Sequence, residues 1–198
     1  NEQVATPVSG NSSVSGNYLA GRHAQVINET SKATMYFSNA LKLAPSSQSL
    51  LQRTFLMMAS EGRIYEALPL AQKVLRQNPK APVANLTVIV GDIQANHLAE
   101  AMKKIRKLPD GGLNDYIAPL LAAWISIAQG QAIENAMAYL IPLKKEGSKS
   151  LYYLHKAIIL DFKGDHKAAI EAYLQKIKEH GSLVLRVAQL LGNLYERS

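Results

Sequence analysis

The sequence predicts an all-α chain, a solenoid of stacked antiparallel helix pairs, on two observations. A small residue recurs on a fixed beat: Ala33, Ala67 and Ala101 are 34 residues apart, Ala136 follows after 35 and Ala169 after 33. Turn-forming residues keep the same time, with Pro45 and Pro79 also 34 apart and Gly62, Gly130 and Gly164 shortly before an alanine. A repeat of this length with helical patterning on both sides of a turn marks helix pairs that bury their apolar faces only against their neighbours. The most regular stretch runs from Gly164 to Tyr173. Gly164 can end one helix in the left-handed conformation and Asp165 can cap the next, while Ala169 and Tyr173 share a face four residues apart.

The elements follow in order. Residues 1–16, rich in Ser, Gly, Asn and Val, read as a flexible leader whose Val4, Val8 and Val14 could pack onto a neighbour. The first pair is expected at 17–27 and 30–43, its second helix capped by Thr30 or Ser31 and stopped by Pro45. Ala33, Phe37, Ala40 and Leu41 form the buried stripe of that helix. The second pair, 48–60 and 64–77, is broken at Gly62 and ended by Pro79, with Pro69 in the first turns of its second helix. The third, 81–96 and 98–108, precedes the breaker from Pro109 to Gly112. The fourth, 113–129 and 132–145, carries Pro119 and Pro142, which should kink or offset its helices. The fifth is expected at 149–163 and 165–180. A last helix at 183–197 has an apolar face from Leu183, Val187, Leu190, Leu191 and Leu194, and is either a solvating cap or half of a sixth repeat. The units are thus bounded at about 17–46, 47–80, 81–112, 113–147 and 148–181, with the terminal helix at 182–198.

Apolar residues make up 47% of the chain and charged residues 19%, which leaves part of the helical surface to apolar side chains. No apolar run reaches the roughly 20 residues of a membrane-spanning helix. The lack of cysteine excludes disulfides, a thiol nucleophile and cysteine metal sites. The chain begins without Met or a signal segment, so its first residue is expected to lie at a cleavage or cloning boundary. Of the formal net charge of +7, residues 63–109 carry +5, from 8 basic and 3 acidic side chains.

Lys103, Lys104, Arg106 and Lys107 form a basic patch on the second helix of the third pair. No aromatic residue interleaves them, so base stacking is unsupported and no nucleic acid is expected as a partner. A solvated face, its charges well placed for the dipole at a helix C-terminus, is the leading reading, ahead of contact with anionic lipid or an acidic protein. The histidines at 23, 97, 155, 166 and 180 never form an i, i+4 pair and no carboxylate cluster joins them, so no metal site is expected. There is no phosphate loop, nucleophile elbow or zincin motif, and the expected protein is neither an enzyme nor a cofactor binder. Trp124, the single tryptophan, is expected in the contact between the helices of its pair.

These residues resemble the tetratricopeptide repeat (TPR) family over 17–198. That family keeps a small residue early in the second helix of each pair, a large one a turn later and a proline after it. Ala33, Phe37 and Pro45 match, as do Ala169 and Tyr173; Ala67, Ala71 and Pro79 match in part, and Ala101 with Ile105 and Ala136 with Leu140 more loosely. The family's glycine inside the first helix occurs once, at Gly21, while Phe55, Ile89, Trp124 and Ala157 stand at its equivalents, implying looser packing of those pairs. Asn85 and Asp92 fall where the family buries apolar residues. The opening from Tyr18 to Ala24 is similar to the start of proteobacterial envelope members. That implies a periplasmic or outer-membrane-attached protein, with a cytoplasmic one as the alternative, and membrane association only through a removed N-terminal anchor.

The resemblance further implies a right-handed α-solenoid of about five units plus a C-terminal helix, the first helix of each pair lining a concave wall. Carried over residue by residue, that wall presents Tyr18, Arg22 and Gln25, then Gln52, Leu56 and Ala59, then Leu86, Val90 and Ile93. Leu121, Ile125 and Ala128 follow, and then Leu154, Ile158 and Asp161. From the second repeat onward the wall is almost wholly apolar, and several of its helices are apolar on more than one face, so something should cover it. The expected function is a scaffold or adaptor that holds an apolar or helical protein or peptide partner in this groove. The alternatives are a homo-oligomer built through the same surface, and a carrier of a lipid-like apolar ligand. A carboxylate clamp of the kind that binds chaperone C-termini is not expected, because Arg22 is the only cation among the wall residues named.

Overall fold

The computed structural model describes residues 13–181 and 184–197. Two compact units divide the chain, one ending at Gly91 and the other beginning at Asp92. The first contains α1 (Val14–Val26), α2 (Thr30–Leu43), α3 (Gln48–Ser60) and α4 (Ile64–Gln77); the boundary falls within α5 (Pro82–Gln94). The second contains α6 (Leu98–Ile105), α7 (Asn114–Ala128), α8 (Ile133–Leu140) with a 3₁₀ turn at Ile141–Lys144, α9 (Lys149–Phe162), α10 (His166–His180) and α11 (Leu185–Arg197). No strand occurs among the described residues.

The beat is kept by the turn inside each pair. Asn28, Gly62, Asn96, Gly130 and Gly164 stand 34 residues apart, and all five are left-handed, with φ between +58° and +84°. The following N–H each time bonds the carbonyl five residues back: Glu29 to Ala24, Arg63 to Met58, His97 to Asp92, Gln131 to Ser126 and Asp165 to Leu160, at 2.8–3.1 Å. This Schellman closure satisfies the last carbonyls of the first helix and sends the chain directly into the second. Asparagine serves at two of the five positions because, among side-chain-bearing residues, it tolerates the left-handed region unusually well.

Between these turns Ala33, Ala67, Ala101, Ala136 and Ala169 are all 0% exposed. Large side chains gather around them within each unit: Phe37 and Leu50 near Ala33, Leu51, Phe55 and Val74 near Ala67, Leu140 and Tyr152 near Ala136, Tyr173 and Leu194 near Ala169. The first pair closes most tightly at Gly21, where an added methyl would lie 2.8 Å from the Phe37 ring. A second close approach, not anticipated, is Gly91 of α5 against Leu68 of α4, where an added methyl would meet Leu68 at 2.7 Å. Phe55, Ile89 and Ala157, at the equivalents of Gly21, are buried, so side-chain volume fills the contact that glycine closes in the first pair.

Element ends differ from expectation where local chemistry competes with periodicity. α1 begins at Val14, three residues early, because Ser13 Oγ accepts the Gly16 N–H at 2.9 Å and caps it. Val14 therefore belongs to a helix, while Val4 and Val8 lie outside the described residues. Neither Thr30 nor Ser31 caps α2; Glu29 holds that position without a side-chain bond. α6 ends at Ile105, and α8 ends at Leu140, where Pro142 accompanies the change to the 3₁₀ turn. Pro69 is accommodated inside α4: the carbonyl it leaves unbonded belongs to Tyr65, on the exposed side. Asp165 does cap α10, accepting from the Ala168 N–H at 3.1 Å. The out-of-place polar residues of the third pair are satisfied. Asn85 Nδ2 donates to the carbonyls of Pro79 and Ala81 at 2.9 and 3.1 Å, and Asp92 pairs with Lys104. In α11, Val187 and Leu194 are buried and Leu190 and Leu191 pack beside them, while Leu183 lies outside the described residues.

Candidate protein-interaction surface

In the first unit α3 and α5 flank an open depression of about 540 Å³. Leu56 and Ala59 of α3, Leu86 and Val90 of α5 and Ile64 of α4 line it, so four of the residues assigned to the concave wall converge in one place. Leu56 is 43% exposed, a large apolar side chain facing water. Two hydroxyls share the lining, yet neither is offered to a ligand: Thr87 Oγ1 donates to the Val83 carbonyl at 2.8 Å and Ser60 Oγ to the Met57 carbonyl at 2.8 Å. With its polar groups turned back on their own helices, the surface is chemically close to pure hydrocarbon.

Beside this depression stands a cluster of opposite character. Gln25 Nε2 of α1 lies 3.7 Å from Sδ of Met57, itself part of the apolar lining. Gln25 Oε1 accepts from Nη1 of Arg22 at 3.2 Å and from Nη1 of Arg53 at 3.3 Å. The Arg53 guanidinium is held in place by aromatic rings, 5.7 Å from the Tyr18 centroid and 5.5 Å from that of Phe37. Two cations thus share one neutral oxygen, and no carboxylate pairs with either among the described residues. Arg53 was missed from sequence because Gln52, one position before it, was assigned to the wall. The available signal was a cation at i+31 from Arg22, close to one repeat on.

No protein-family model matches the chain, and no curated protein matches it in sequence. Solved structures do match. The chain is similar to MamA (residues 41 to the end) from Desulfovibrio magneticus RS-1, with 15% identity, a TM-score of 0.64 and coverage of 84% of this chain and 94% of that one. It is similar to a tetratricopeptide repeat protein of Parabacteroides merdae at 15% identity and TM-score 0.66, covering 92% and 72%. It is also similar to YrrB, described as a TPR protein with an unusual peptide-binding site, at 13% identity and TM-score 0.59, covering 90% and 91%. The chain has the TPR fold.

In TPR terms α1, α3, α5, α7 and α9 are the first helices of successive pairs, and the remaining assigned wall residues lie in the second unit. Ile93, Leu121, Leu154 and Ile158 are half-buried there, Leu154 and Ile158 packing against the core around Ala169. Ile125 corrects the expectation: it is 2% exposed and belongs to the core. α7 is packed by α6, α8, the 3₁₀ turn and α9, and Ile125 lies on the side that these neighbours enclose, whereas Leu121 keeps partial exposure. Trp124, expected in the contact between the helices of its pair, packs against the core around Ala136 and Leu140 and also reaches the first helix of the next TPR unit. It is half-buried, and its Nε1–H donates to His155 Nδ1 of α9 at 3.0 Å. Burial, and secondly Arg186, hold His155 below the ordinary histidine pKa, which keeps it neutral and able to accept.

The basic patch is less continuous than expected. Only Lys103 and Lys104 lie in α6, and both are paired, Lys103 with Glu100 at 2.7 Å and Lys104 with Asp92. Arg106 and Lys107 fall after the helix end and remain exposed. Among the described residues no three His, Asp or Glu side chains are grouped to hold a metal ion.

Proposed function

We propose that the chain is a non-enzymatic protein-interaction scaffold whose first unit holds a peptide or helix of a partner protein. An apolar side chain of that partner enters the depression between α3 and α5, and an acidic side chain sits on Arg22 and Arg53. The observation that carries this reading is the convergence of Leu56, Ala59, Leu86 and Val90 on an exposed hydrocarbon surface whose hydroxyls are internally bonded. A depression of about 540 Å³ is within the range of ligand sites, and burying one Leu- or Phe-sized side chain there is worth about 2 kcal/mol. At the cationic end a carboxylate would replace a neutral amide oxygen as acceptor, and charge-assisted hydrogen bonds of this kind are about twice as strong as neutral ones. The likeness to a fold neighbour described by its peptide-binding site supports a peptide as the class of ligand.

Selection of displayed peptides against the purified chain tests this. Enriched sequences should pair a large apolar residue with Asp or Glu a few positions away. Val90→Asp should leave the melting curve nearly unchanged and abolish their binding. Arg53→Gln should weaken the acidic peptides more than their Gln counterparts. Peptides that bind both variants as well as the unaltered chain would refute the assignment.

A further inference from the structure

The second unit contains a cleft that the interaction surface does not use. α8 has 8 residues where α9 has 14, because the chain passes into the 3₁₀ turn after Leu140. Between them lies a cleft of about 340 Å³, floored by Ile133, Met137 and Leu160 with Tyr152 beside them. Ile141, 56% exposed, stands at its mouth.

Two lysines line this hydrocarbon surface. Lys144 holds its Nζ 5.0 Å from the Tyr152 ring centroid, and Lys156 of α9 is half-buried among the apolar side chains. Among the described residues neither forms an ion pair or a hydrogen bond, although nearby lysines do: Lys145 reaches Asp115 at 3.9 Å and Lys149 reaches Glu146 at 3.4 Å. Glu134 is the one acid of the cleft, exposed and bonded to neither lysine. On its far side Lys156 borders a depression with Glu171 and Gln175, again without a bond.

We propose that this cleft binds an aliphatic carboxylate of fatty-acid type, its chain on Ile133, Met137, Ile141 and Leu160 and its carboxylate on Lys144 and Lys156. Lys144 is exposed and Lys156 half-buried, so two ammonium groups without a counter-charge stand beside an apolar floor, and an anion carrying its own apolar body satisfies both parts of the site. The volume stands at the low end of small-molecule sites, which suits one acyl chain rather than a helix.

Calorimetric titration of the whole chain with dodecanoate, below its micelle concentration, tests the proposal, with dodecan-1-ol as the uncharged control. Dodecanoate should bind saturably at one site. Lys144→Met combined with Lys156→Met keeps the apolar stems and should weaken dodecanoate roughly tenfold, the alcohol being little affected. Methyl resonances of Ile133, Ile141 and Leu160 in the unaltered protein should move with dodecanoate, a readout that survives if the double variant fails to fold. Val90→Asp should bind dodecanoate normally, which separates this site from the peptide surface. Absence of saturable binding, equal loss of acid and alcohol in the double variant, or shifts confined to Leu56 and Val90 would each overturn it.

Discussion

Gly21→Ala sets helix propensity against packing in a way the structure resolves. An alanine in a helix interior is favoured over glycine by about 1 kcal/mol, so propensity alone predicts a more stable protein. The added methyl would, however, lie 2.8, 2.9 and 3.1 Å from three carbons of the Phe37 ring. Relaxed carbon contacts are about 3.5–4.0 Å. Phe37 is fully buried and has neighbours beyond Gly21: the Tyr18 ring centroid is 6.0 Å away and the Arg53 guanidinium 5.5 Å from its own centroid. Overpacking of this kind costs about 1–3 kcal/mol, so the net change should be a loss of up to about 2 kcal/mol. Gly91→Ala is the internal control. Its methyl would meet Leu68 at 2.7 Å, but the atoms met, Cδ2, Cδ1 and Cγ, belong to a half-buried, flexible side chain. Turning Leu68 costs about 0.5–1.5 kcal/mol, and the variant should come out near neutral. Urea unfolding followed by helical circular dichroism reads both, and Phe37→Leu completes a double-mutant cycle with Gly21→Ala. A coupling of about 1–2 kcal/mol is expected, since the smaller side chain makes room for the methyl. If Gly21→Ala stabilises as much as Gly91→Ala, or shows no coupling to Phe37, close packing is not why glycine stands there.

Three further outcomes follow from burial. Ile125→Asp should lower or abolish the helical melt by several kcal/mol, since it places a carboxylate in the core, whereas Val90→Asp should not. His155 is depressed by burial and then by Arg186, so the unfolded chain takes up its proton first as the pH falls. Its contribution to stability is full above the ordinary histidine value of 6.5 and is lost as the pH drops through the lower folded value. Fluorescence of Trp124, the sole tryptophan, should report that titration, and His155→Gln should remove it from both fluorescence and melting. Burial, with Asp161 second, pushes the Tyr173 phenol up to about 12, and the hydroxyl is buried without a hydrogen-bond partner. Stability held below pH 10 is therefore lost as the pH rises toward 12. Tyr173→Phe should remove that alkaline dependence and leave neutral-pH stability unchanged or higher by about 1 kcal/mol; a marked loss would mean the hydroxyl is bonded.

The helix pairs were legible because their information is local. A left-handed closure needs a residue that tolerates positive φ, and the alanine that follows needs a small side chain where two helices touch; both recur every repeat and leave a mark on the sequence. Even there, the glycine count missed Asn28 and Asn96, whose spacing of two repeats from each other and one from Gly62 was the available sign. Helix ends set by a single hydrogen bond, such as Ser13 to Gly16, were less legible, because periodicity carries no information about caps.

What the sequence by itself determined is the fold class, the position of each turn and the small residue around which each pair closes. Only the tertiary structure decided which apolar residues face water. In α7, apolar nearly all round, no pattern separates Trp124 from Ile125, and enclosure by the neighbouring helices buries the second and leaves the first to bond His155. The same holds for Arg53, whose placement is set by Gln25, Tyr18 and Phe37 on other helices. Backbone conformation is written over a few consecutive residues, whereas exposure depends on how each helix is rolled against elements one or two repeats away.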